Sequence, residues 1–65
     1  MTASAAHLLV VDDERPLREG LARYLRGRGF VVSEAADGTQ ALAALEQERY
    51  AVVICDVNAA GSRNS

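Results

Sequence analysis

The chain predicts an open α/β sheet of three parallel strands linked by two crossover helices, with strand order 2-1-3. Apolar runs and stretches of helical spacing alternate as strand, helix, strand, helix, strand, an order that favours a parallel sheet. The first and last runs are continuously apolar, the pattern of strands covered on both faces. Each of those two runs ends in acid: Leu8-Leu9-Val10-Val11 leads into Asp12-Asp13-Glu14, and Val52-Val53-Ile54-Cys55 leads into Asp56.

Each element has a local reason. Leu8 to Val11 is the first strand, and Pro16 supplies the fixed φ favoured in a first helical turn. Leu17, Leu21, Tyr24 and Leu25 then repeat at the spacing of one helical face, and Gly27 and Gly29 stop the pattern. Phe30, Val31 and Val32 form a second strand, more mixed toward Glu34. Asp37 is placed to cap the second helix, with Gln40 at the capping-box position and Ala41, Leu42 and Leu45 as its buried stripe. Tyr50 to Cys55 is the third strand, rich in β-branched residues.

Right-handed crossovers restrict how these pieces assemble. If the second and third strands flank the first on opposite sides, the helices fall on opposite faces and the chain reverses between strands one and three. A crevice then opens at the carboxyl ends of those two strands, where Asp12, Asp13 and Asp56 stand. Carboxylates at the ends of buried strands are costly unless paired, and a cluster of them suits a hard divalent cation with oxygen ligands.

Size and composition bound the rest. A chain of 65 residues makes at most one domain. At that size it buries only about 60% of the surface exposed on unfolding, so marginal stability or help from a partner is expected. Hydrophobic residues at 49% and charged residues at 25% fit a globular protein, with neither disorder nor a membrane span suggested. A net charge of −2 gives no pull toward nucleic acid, and no direct nucleic-acid or membrane partner is expected. No signal peptide is visible in the first residues and the single cysteine cannot form an internal disulfide, so a cytoplasmic location fits. Cys55 reads as a small core residue and His7 as a solvated strand start. Arg15, Arg18, Arg23, Arg26 and Arg28 fall in the first helix and its exit. Glu14 with Arg18 and Glu19 with Arg23 are spaced for ion pairs along a solvated face.

The stretch from Leu8 to Glu14, the Ala36-Asp37-Gly38 step into a helix with Ala41-Leu42, and the strand ending in Asp56 together resemble the receiver domain of two-component response regulators, a phosphoacceptor module of flavodoxin-like fold. The resemblance implies that Asp56 accepts a phosphoryl group from a histidine kinase or phosphotransfer protein. It also implies that Asp13 ligates Mg²⁺ directly, that Asp12 assists through water, and that Asn58 lends its backbone carbonyl. The role is that of a signalling module rather than of an enzyme: no base, nucleophile pair or glycine-rich phosphate loop points to chemistry on a small metabolite.

The resemblance covers the first half of a receiver. Residues 1–6 read as an N-terminal arm, 7–58 as a partial receiver domain, and 59–65 as a polar tail or cloning-derived remnant. Receivers carry a Ser or Thr after the fourth strand and a Lys after the fifth, whereas all seven basic residues here are arginine. Asn58-Ala59-Ala60-Gly61 also stands where a Met-Pro pair usually follows the acceptor. A truncated receiver is expected, and phosphoryl acceptance without those partner groups is not. Its third strand would present an open edge at Val52, Val53 and Ile54, so homodimerisation through that edge, or exchange of elements, is expected. The alternative function is therefore a dimerising or assembly module without phosphoryl chemistry.

Overall fold

The computed structural model describes residues 5–56, in which β1 (His7–Val11), α1 (Arg15–Gly27), β2 (Val31–Ala35), α2 (Gly38–Gln47) and β3 (Val52–Cys55) follow in chain order. The strands form one parallel sheet in the order β2-β1-β3, the expected 2-1-3 arrangement. The proposed arm lies largely outside the described residues, and the 59–65 tail wholly so.

The central strand explains the continuous apolar run. Side chains of successive strand residues point to opposite faces, so a strand with a helix over each face must be apolar at every position. Leu8 and Val10 join Val32 and Ala22 on the α1 side, with Leu21, Leu25 and Ile54 packed against them. Leu9 and Val11 join Ala35 and Ala41 on the α2 side, with Ala44 and Tyr50 alongside. Leu9, Val10 and Val11 are the largest fully buried side chains.

Both helix ends follow local rules. After Gly27, Gly29 N–H donates to the Arg26 carbonyl at 3.0 Å and Phe30 N–H to the Leu25 carbonyl at 3.2 Å, the paired bonds of a Schellman stop. Gly29 takes φ 100°, where any L side chain is strained. At the start of α2, Asp37 Oδ1 accepts from Gln40 N–H at 2.9 Å, as the capping pattern requires. Gln40 Oε1 reaches one residue further back than a standard capping box and accepts from Ala36 N–H at 2.8 Å.

Several side chains lie on other faces than their spacing indicated. In α1 the inward stripe is Arg18, Leu21, Ala22 and Leu25, while Leu17 and Tyr24 are 61% and 59% exposed. Neighbouring helical residues point about 100° apart, so choosing Leu17 rather than Arg18 turns the apparent face away from the sheet. In α2 the small residues Ala41 and Ala44 face the sheet, and Leu42 and Leu45 point outward. Alanines at the contact let the helix lie close to β1 and β2, leaving no room for the longer leucines there.

Cys55 is exposed rather than a core residue, because among the described residues β3 is an edge strand. His7 is partly buried rather than solvated: its ring packs on Tyr50 with centroids 4.4 Å apart, Nε2 lies 2.8 Å from Ser33 Oγ, and Nδ1 lies 3.1 Å from Glu48 Oε1. It thereby ties β1 to β2, to the end of α2 and to the approach to β3. Among the described residues, no helix is long and apolar enough to cross a membrane.

Candidate functional site

Register alone brings two of the acids together. Val11 pairs with Cys55 across the parallel ladder, so Asp12 and Asp56 are the next residues on adjacent strands. Their backbones are held in place: Asp56 N–H donates to the Val11 carbonyl at 3.0 Å, and Asp12 N–H donates across the other side to the Ala35 carbonyl at 3.1 Å. Asp13 follows at the bend into α1. One carboxylate oxygen from each of Asp12, Asp13 and Asp56 lies within 4.8 Å of the other two. Asp12 and Asp56 are half-buried and Asp13 is exposed.

Three converging carboxylates carry net negative charge in one place, and all their donors are oxygen. That set fits a hard divalent cation such as Mg²⁺, which takes a few carboxylates and keeps several waters. Asn58, expected to add a carbonyl, lies outside the described residues.

The Asp12 side chain is oriented before any ligand arrives. Its Oδ1 accepts from Glu14 N–H at 2.9 Å, a local turn in which aspartate bonds the backbone two residues on. Its carbonyl accepts from Arg18 Nη1 at 2.9 Å. Arg18 Nε in turn donates to Glu34 Oε1 at 3.1 Å, while the other Glu34 oxygen lies 3.4 Å from Arg26 Nη2. Arg26 Nη2 also donates to the Val32 carbonyl at 2.9 Å.

Arg18, Glu34 and Arg26 were not among the expected site residues. The available signals were Glu34, an ionisable group late in the strand that begins Phe30-Val31-Val32, and Arg18, which shares helical spacing with Leu21, Ala22 and Leu25. The expected pairs of Glu14 with Arg18 and Glu19 with Arg23 are replaced by Arg18 with Glu34 and Arg15 with Glu19. The inward turn of Arg18 carries it to β2 and away from Glu14. Glu19 Oε2 instead accepts from Arg15 Nε at 2.7 Å, and this hydrogen bond holds the Glu19 carboxyl below the usual range. Glu19, Arg23, Arg26 and Glu34 line a shallow cleft beside α1, and its two carboxylates and two guanidiniums balance in charge.

Comparison with known proteins agrees with the geometry. The family model described as response regulator receiver domain matches residues 8–62. The DNA-binding response regulator MtrA of Mycobacterium tuberculosis is 42% identical over 57 residues, covering 88% of this chain and 25% of that protein. The response regulator MprA of Mycobacterium ulcerans is 40% identical over 53 residues, covering 82% of this chain and 23% of that protein. The C4-dicarboxylate transport transcriptional regulatory protein DctD of Rhizobium meliloti is 36% identical over 59 residues, 91% of this chain and 13% of that protein. The chain thus spans at most about a quarter of the length of these relatives.

Proposed function

Because the chain belongs to the response regulator receiver domain family, we propose that it contributes the phosphoacceptor site of a two-component phosphorelay, with Asp56 as acceptor. Asp12, Asp13 and Asp56 would hold Mg²⁺, with the Asn58 carbonyl completing the protein ligands. The observation that supports this reading is the meeting of three carboxylates at the carboxyl ends of adjacent parallel strands, beside the point where the chain reverses.

The chemistry follows from these residues. In a receiver that also supplies the Ser or Thr hydroxyl and the Lys, an Asp56 carboxylate oxygen attacks the phosphorus of a phosphohistidine on a kinase or phosphotransfer protein. The O–P bond forms as the P–N bond breaks, and the departing imidazole retains the electron pair and takes a proton from water. Mg²⁺ held by Asp12, Asp13 and Asp56 would supply the charge screening that lets an anionic carboxylate approach an anionic phosphoryl group. Asp12, fixed at its amide, carbonyl and carboxylate, keeps one ligand oriented beside the acceptor. The module acts in the cytoplasm as a phosphoacceptor and not as an enzyme in its own right.

Calorimetric titration with Mg²⁺ tests this. The wild-type chain should bind, and Asp56→Asn should bind at least about tenfold more weakly, since it loses a charged oxygen ligand. Equal binding by both would remove Asp56 from the site.

A second reading, that the chain serves as an assembly module, draws on the edge strand. Val52 and Val53 are 50% and 43% exposed on β3, whose outer edge is unpaired among the described residues. Open apolar edges favour pairing with another chain, here a second copy that would widen the sheet. Sedimentation should give a dimer mass for the wild type and a monomer mass for Val53→Lys. A monomeric wild type at micromolar concentration would exclude the assembly role.

A further inference from the structure

We propose that Arg18 is a positioning residue for the acid site, setting the β1–α1 turn through the Asp12 carbonyl while Glu34 holds its guanidinium in place. This rests on the reading of Asp12, Asp13 and Asp56 as a cation site. The side chain of Arg18 is 14% exposed and that of Glu34 24%, so the pair is shielded on the sheet rather than dangling in solvent. The guanidinium is planar and offers donors in fixed directions. Nη1 donates to the Asp12 main-chain carbonyl at 2.9 Å, and Nε donates to Glu34 Oε1 at 3.1 Å. Arg26, 3.4 Å from the second Glu34 oxygen, steadies the carboxylate from the far side. The peptide unit after Asp12 leads directly to Asp13, so the bond to Arg18 fixes where Asp13 begins. Among the described residues nothing holds the Asp13 side chain itself, and its placement depends on that backbone.

Electrostatics and positioning predict opposite signs. A guanidinium near three carboxylates repels an incoming cation, so removing its charge alone should tighten Mg²⁺ binding. Losing a group that orients metal ligands weakens binding, typically by about 10–100-fold. Positioning predicts the second outcome for Arg18→Gln. It predicts weakening for Arg18→Lys as well, which keeps the charge but cannot span the Asp12 carbonyl and Glu34 with a fixed fork. Arg15→Gln removes a charge from the same helix, where Arg15 pairs with Glu19, and should bind Mg²⁺ as well as the wild type or better.

The experiment combines Mg²⁺ titration of the wild type, Asp13→Asn, Arg18→Lys, Arg18→Gln and Arg15→Gln with metal-free amide NMR. The expected result is at least tenfold weaker Mg²⁺ binding in both Arg18 variants, with a shifted Glu14 amide and unshifted amides in the middle of β1. Wild-type binding that is lost in Asp13→Asn but kept in both Arg18 variants would overturn the positioning role and leave the site intact. No Mg²⁺ binding by the wild type would instead overturn the site, and the Glu14 amide would then decide alone whether Arg18 sets the turn. Loss of exchange protection throughout β1 would show that Arg18 holds the sheet as a whole, which contradicts the local role.

Discussion

Leu9→Ala is expected to leave most of the chain unfolded at 25 °C. Leu9 is fully buried on the central strand, packed among Val11, Ala35 and Ala41 under α2. Truncating a buried leucine costs about 2–5 kcal/mol, the lost transfer energy plus the cavity left behind. Domains hold roughly 0.05–0.15 kcal/mol per residue, which gives about 3–10 kcal/mol in total for 65 residues. The described residues, with an unpaired β3 edge and one helix per face, place the chain at the lower end of that range. Leu17→Ala provides the contrast, because Leu17 is 61% exposed and its loss should change stability by no more than about 0.5 kcal/mol. Urea unfolding followed by circular dichroism checks both, at matched protein concentration so that self-association does not shift the comparison. Equal midpoints for the two variants would mean that β1 is not the core.

The second large effect concerns the acids in the absence of metal. Three carboxylates whose oxygens lie within 4.8 Å of one another repel, and Asp13 is the most exposed of them. Two unit charges at about 4 Å in a water-like dielectric interact by about 1 kcal/mol. Asp13→Asn should therefore melt above the wild type in metal-free buffer. Mg²⁺ should reverse the ranking. A ligand present at roughly 100 times its Kd stabilises by about 2.7 kcal/mol, and a domain of this size gains roughly 4–8 °C per kcal/mol. The wild type should rise by roughly 10–20 °C on saturation while Asp13→Asn scarcely moves. Melts with and without Mg²⁺ decide the matter: a variant that melts below the wild type without metal shows that the acids do not oppose one another.

Much of this protein was legible from local patterns. The continuous apolar run Leu8–Val11 identified a strand covered on both faces, whereas the similar run into Cys55 forms a largely exposed strand; Pro16 and the Gly27–Gly29 region bracketed α1, and Asp37 with Gln40 announced the start of α2. These features depend on a few neighbouring residues, so short-range sequence suffices to read them. The acid cluster was also legible, since a parallel ladder carries the residue after one strand alongside the residue after its neighbour.

Facing was harder. Leu17 and Tyr24 share a plausible apolar stripe with Leu21 and Leu25, yet the helix turns Arg18 and Ala22 inward instead. Hydrophobicity ranks Leu17 above Arg18, but an arginine can bury its stem while its head finds a carbonyl and a carboxylate. Those partners, Asp12 and Glu34, stand 6 and 16 residues away and meet Arg18 only once β1, α1 and β2 have assembled. His7 follows the same logic, since Ser33, Glu48 and Tyr50 are all distant in sequence.

The order of the elements, their caps and stops, and the placing of acids at strand ends follow from residues adjacent along the chain, and so could be read before any fold was known. Which helix faces are buried, the exposure of Cys55, and the contact of Arg18 and Glu34 with the turn beside the acids emerged once the elements packed together. The physical reason is that a side chain's partners are chosen by packing and by the need to satisfy buried polar groups, and both are properties of segments brought together in space.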